Sequence, residues 1–157
     1  MNNKHLNIYN NLVKLTRNKK IFENLLKEET FSDRLVLLMF HFAFFLREYK
    51  NSTNRYELQK IHDFFFKQLD LSIREIGYGD TSINKRMKEY INLFFLIIDK
   101  IDKWNSLTEK QKSIFLSKML NIGENSSFYI AYFEKYVNYL QNNTFNYFTK
   151  DVIRHNF

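Results

Sequence analysis

Residues 64–90 read FFFKQLDLSIREIGYGDTSINKRMKEY. Phe65, Leu69, Ile73 and Ile76 recur at steps of three or four and continue a stripe begun by Leu58 and Ile61. That spacing predicts an amphipathic helix with one buried face. Beyond Asp80 the period resumes with Ile83, Met87, Tyr90, Phe94, Ile98 and Ile101. Two of the three glycines in the chain, Gly77 and Gly79, fall in the gap, and there is no proline. In a chain so poor in breakers this pair marks a reversal, and Gly77 suits the left-handed position just past a helix end. Asp80, Thr81 or Ser82 is placed to cap the returning helix. The stretch therefore predicts a helical hairpin, with the remaining elements before and after it.

Upstream, Leu35–Leu46 is apolar nearly all round and is broken only by His41. A helix without a polar face belongs in the middle of a bundle; this one, running to about Tyr49, is the expected central helix. Before it, Leu6, Tyr9, Val13, then Ile21, Phe22, Leu25 and Leu26 predict one or two amphipathic helices. They are joined by the basic run Arg17-Asn18-Lys19-Lys20, either a solvated joint or a contact for phosphate. Helix starts are signalled by Thr30-Phe31-Ser32-Asp33, by Asn54 with Glu57, and by Ser106-Leu107-Thr108-Glu109. The last of these opens a helix to about Ile122, ended by Gly123. A final long helix carries Ile130, Phe133, Val137 and Leu140 on one stripe, and Tyr129, Tyr132, Tyr136 and Tyr139 on the next. Residues 144–157 predict a short helix. No segment alternates with period two and no repeat of solenoid length is present. The expectation is an all-α, single-domain bundle over residues 1–157, its core at about 5–142, with six or seven helices around the central apolar one.

Composition narrows the function. With 157 residues and 45% apolar content the chain is long enough to bury a real core. It has no cysteine, which excludes disulfides, thiolate metal sites and cysteine nucleophiles. A net charge of +7 admits an anionic partner, although abundant Lys, Asn, Ile, Phe and Tyr also follow from composition drift alone. The first twenty residues lack the apolar run of a signal peptide. The twelve residues Leu35–Leu46 span roughly 18 Å of helix, short of a bilayer core. A soluble or peripheral protein is expected, cytoplasmic, with contact at the inner membrane surface.

No catalytic constellation is visible. His41 has no partner at workable spacing and reads as a hydrogen-bonded core histidine. His62 beside Asp63 is on a different helical face from it. His5 and His155 lie near the ends, where order is lowest. No metal, cofactor or small-molecule substrate is expected.

Electrostatics single out the hairpin. Lys85, Arg86 and Lys88 sit in the first turns of the returning helix, where the dipole disfavours cations. Asp70 and Glu75 lie toward the end of the outgoing one, where it disfavours anions. One account pairs Asp70 and Glu75 with Lys85 and Arg86 across the hairpin, for about 0–1 kcal/mol each. The other makes Arg74, Lys85, Arg86 and Lys88 a docking patch for an acidic or phosphate-bearing partner.

Leu69-Asp70-Leu71-Ser72-Ile73-Arg74-Glu75-Ile76-Gly77-Tyr78-Gly79-Asp80, followed by Lys85-Arg86-Met87-Lys88, resembles the signature of the ubiquinol–cytochrome c chaperone family, D-x-x-L-R-E-x-G-V-G-D and then K-R-M-K. Thr30–Arg34, with Leu38 and His41, is similar to the family's stretch containing D-T-x-x-x-R-F and L-H. Tyr9, Val13, Arg17 and Phe22 fit its N-terminal pattern, and Ala131–Val137 resembles its L-A-R-Y-V segment. The resemblance spans roughly residues 5–140. Asn84, Leu96 and Ile97 depart from it, the last two standing where many members have Gly-Arg.

What the resemblance implies is a non-catalytic assembly factor. Its client would be newly made cytochrome b on its way into the cytochrome bc complex (complex III). Its partners would be cytochrome b or other complex III subunits, the ribosome and a small partner protein. The implied partner-binding residues are Arg74, Glu75, Gly77, Gly79, Asp80, Lys85, Arg86 and Lys88. Such a client needs an apolar surface, and Tyr129, Tyr132, Tyr136 and Tyr139 are the candidate unless they only border the core. The alternative is a basic helical nucleic-acid-binding module, although the Gly-Tyr-Gly-Asp turn is not that of a helix-turn-helix.

Overall fold

The computed structural model describes residues 3–25, 31–151, 153–154 and 157. In these residues seven α-helices follow one another with no strand: α1 (Lys4–Thr16), α2 (Lys19–Glu23), α3 (Phe31–Tyr49), α4 (Arg55–Ile76), α5 (Asp80–Asp102), α6 (Glu109–Met119) and α7 (Ser126–Gln141). Short 3-10 segments occupy Trp104–Ser106 and Phe145–Thr149. The chain is an all-α single domain, as its periodicities predict.

The central helix is α3. Its apolar residues run round the whole circumference, and α1, α5 and α7 all pack against it. Phe42 stacks on Phe65 of α4 at 4.3 Å and on Phe94 of α5 at 5.3 Å, and those two rings also stack on each other at 6.1 Å. On the opposite side Phe40 and Phe44 stack on Phe133 of α7 at 5.4 and 5.2 Å. One layer of rings thus ties α3 to the hairpin, and a second ties it to α7.

Several local signals work differently from their sequence reading. Asn54 caps α4 by accepting from the Glu57 N–H at 2.7 Å. The reciprocal half of the box is not made, because the Glu57 carboxylate takes His5 at 3.0 Å and Lys4 at 3.2 Å on α1. His5, expected near a loose end, is therefore a helical residue that joins α1 to α4. The capping box of α6 is closed by Thr108 with Gln111, not by Ser106 with Glu109. That helix stops at Met119, since Leu120 is extended, so Ile122 and Gly123 belong to the turn beyond. The expected cap at Thr30, the stripe position Leu26, and His155 lie outside the described residues.

The joint Arg17–Lys20 is a solvated one, where Asn18 caps α2 through the Lys20 N–H. The segment after α7 is a 3-10 turn and not an α-helix. It is fastened by Asn11, whose side-chain amide donates to the carbonyls of Phe148 and Lys150, each at 2.9 Å. Phe145, Phe148 and Ile153 are buried there.

Phe42→Ala removes the ring shared by α3, α4 and α5. It is expected to cost about 3–5 kcal/mol in urea unfolding. Phe95→Ala, which removes an exposed ring of α5, should stay within about 0.5 kcal/mol.

Candidate functional site: the tip of the α4–α5 hairpin

The arms of the hairpin bury one face each. Ile61, Phe65, Leu69 and Ile73 face inward on α4, and Ile83, Phe94, Ile97 and Ile101 on α5. Between the last inward residue of α4 and the first of α5, every residue from Arg74 to Ser82 is exposed. The tip therefore projects from the bundle. Ile76 was expected on the buried stripe, but it is 53% exposed because the stripe runs past the end of the core. Leu71 and Tyr78 are exposed beside it.

Gly77 ends α4 with φ 105° and donates its N–H to the Arg74 carbonyl at 3.0 Å. The expected side-chain cap on α5 does not form. Gly79 holds the cap position, no side chain accepts there, and Asp80, Thr81 and Ser82 lie inside the helix.

Asp80 binds Arg74 instead. The guanidinium donates from Nη1 to Asp80 at 2.6 Å and from Nε to Asp70, also at 2.6 Å. These carboxylates, Asp70 first, push Arg74 further toward its charged form. One arginine thus clamps the last turn of α4 to the first turn of α5. The cross-hairpin pairing of Asp70 and Glu75 with Lys85 and Arg86 is overturned, because Asp70 is already committed to its own helix. Arg86 lies over the Tyr78 ring at 3.9 Å, a cation–π contact. Lys85, Lys88 and Glu75 make no ion pair among the described residues. The eight residues of the implied site therefore sort into a brace (Arg74, Gly77, Gly79, Asp80) and a charged face without ion pairs among the described residues (Glu75, Lys85, Lys88 and Arg86, the last lying over Tyr78).

The tyrosine stripe of α7 is not a surface. Tyr129, Tyr132, Tyr136 and Tyr139 are all buried, which corrects their reading as a client surface. Each hydroxyl points to an interior acceptor. Tyr129 donates to the Ile21 carbonyl, Tyr136 to the His41 carbonyl at 2.8 Å, and Tyr139 to the Arg154 carbonyl at 2.6 Å. Tyr132 meets His41 Nε2 at 2.6 Å. His41 Nδ1 donates to the Leu37 carbonyl at 2.7 Å, which leaves Nε2 as the acceptor for Tyr132. Both stripes of α7 are buried because α3 covers one and Phe157 packs against three of the tyrosines on the other.

His41 is accordingly a satisfied core histidine, as expected. His62 approaches Asp63 at 3.5 Å, a contact that adjacency had argued against. No group of three His, Asp or Glu residues able to hold a metal ion occurs among the described residues. No described helix is long and apolar enough to cross a membrane.

The fold and tip define a helical bundle with a braced, projecting turn. A comparison with protein families matches residues 24–112 to the family described as ubiquinol-cytochrome C chaperone. That segment is more than half of the chain and contains α3, α4 and α5 whole. The chain belongs to this family, whose membership suggests a role as a complex III assembly chaperone and implies a non-catalytic protein. No curated protein and no solved structure matches the chain.

Two outcomes test this geometry. Gly77→Ala is expected to cost about 1 kcal/mol, because its φ is left-handed although space for a methyl group is open. Gly79→Ala, at φ −73° and with equal space, should be close to neutral by the same chemical unfolding. Burial pushes the hydroxyls of Tyr49, Tyr129, Tyr132, Tyr136 and Tyr139 well up. Their folded values lie above the unfolded one of about 10. Folding thus favours the neutral form, and that stability is fully present below about pH 10 and is lost as pH rises beyond it. Melting temperature followed by circular dichroism should fall steeply above that point, while tyrosinate absorbance rises.

Proposed function

We propose that this chain is an assembly chaperone that binds newly made cytochrome b and helps it enter the cytochrome bc complex, without catalysing a reaction. The observation that carries the reading is the exposed tip at the centre of the family match. Leu71, Ile76 and Tyr78 give it apolar area, and Lys85, Arg86 and Lys88 give it cations with no ion-pair partner among the described residues. A newly made membrane protein offers both apolar helices and charged loops, and a surface of this mixed kind meets both. In this reading Arg74, Asp80, Gly77 and Gly79 hold the turn in shape, while Lys85, Arg86 and Lys88, with Glu75, face the client. The place of action is the cytoplasmic surface of the inner membrane, reached by peripheral contact.

The test is crosslinking and pull-down of the tagged protein from its native cells, with mass spectrometry of what is recovered. Cytochrome b or other complex III subunits should dominate. Nucleic acid in their absence would turn the argument to the charge-driven alternative. Lys85→Glu with Arg86→Glu should change stability by less than about 0.5 kcal/mol, since both lie at the surface. It should lower client recovery about tenfold. Lost stability with client binding kept in the folded fraction would make these residues structural.

A further inference from the structure

A cleft of about 140 Å³ opens between α1, α2, α3 and α4. Its walls include Tyr9 and Val13 of α1, Arg17 just past its end, Phe31 and Leu38 of α3, and Ser72 of α4. These six come from three of the four stretches in which the sequence resembles the family, which lie far apart along the chain. The fold brings them to one place. Their apolar members are only partly buried, so they are not simply core.

Among the described residues the charged side chains on its wall are Arg17 and Arg34. Arg17 is exposed and makes no ion pair among the described residues. The volume is close to that of a cavity that takes one benzene ring, roughly 150 Å³. It therefore suits a single large apolar side chain and is far too small for a lipid acyl chain.

We propose that this cleft docks a partner polypeptide through a large apolar side chain flanked by an acidic residue. The ring or branched chain enters among Val13, Phe31 and Leu38, and the carboxylate meets Arg17. This is a second docking surface, formed by different residues from the charged face of the tip, so its success or failure does not depend on the client reading above.

The test is selection of short random peptides by display on the immobilised full-length protein, with the Arg17→Glu variant as counter-selection. The result expected is enrichment of peptides that carry an aromatic or leucine residue next to Asp or Glu. Their affinity should fall about tenfold or more in Arg17→Glu, the scale of one charge-assisted contact. It should be unchanged in Lys85→Glu with Arg86→Glu. Circular dichroism should show Arg17→Glu melting with the parent, since the side chain is at the surface. Hydrogen exchange with a selected peptide bound should slow in α1 and in the first turns of α3. No enrichment, peptides without an acidic residue, or equal binding by Arg17→Glu would each overturn the proposal. So would flotation with anionic vesicles that is lost in Arg17→Glu, which would assign the cleft to a lipid headgroup.

Discussion

A buried helix that has no polar side must be enclosed on every side, and α3 places that demand on the rest of the chain. The hairpin covers one flank through Phe65 and Phe94, and α7 covers another through Phe133. The single polar side chain in the middle of α3 then sets how α7 lies. His41 must be satisfied, since an unpaired polar group there would cost about 1–3 kcal/mol. It is satisfied by Leu37 within the helix and by Tyr132 across the interface, while Tyr136 takes the His41 carbonyl. Ring packing supplies the attraction between the two helices, and these hydrogen bonds select one register.

The same enclosure explains why the tip is free. Once α3 is covered, no other described element is left for α4 and α5 to pack against beyond Ile73 and Ile83, and Ile76 and Tyr78 stay exposed. What extends past that point has to hold its own shape. The Arg74 clamp and the left-handed Gly77 do this locally, without a core beneath them. Charges that would otherwise neutralise one another across the hairpin are left facing outward. The result is a braced, exposed turn that is both apolar and cationic.

The family match covers α3 through α5 and the beginning of α6, while α1 and α7 fall outside it. Both nevertheless pack on the central helix, and Asn11 of α1 also fastens the segment after α7. The hairpin thus lies within the match and packs on α3, while α1 and α7 enclose α3 from outside the match. Tyr9 of α1 and Arg17 at its end connect the two parts, because they share a cleft wall with Ser72 of the hairpin.

The sequence by itself determined the helices, the central place of α3, the reversal at Gly77 and the likeness to the family. Each rests on short-range spacing or on a residue whose backbone preference is intrinsic. It also placed His41 in the core, because one polar residue in a fully apolar run has nowhere else to go. Only the tertiary structure decided which of several possible partners a polar side chain takes. Arg74 chose Asp70 and Asp80, Glu57 chose His5 and Lys4 over its own helix end, and four tyrosines turned inward. A tyrosine stripe at helical spacing fits a surface as well as a core, since the ring is apolar and its hydroxyl needs only one acceptor. Whether carbonyls or water supply that acceptor depends on which elements fold over it, and the spacing along one helix carries no record of that.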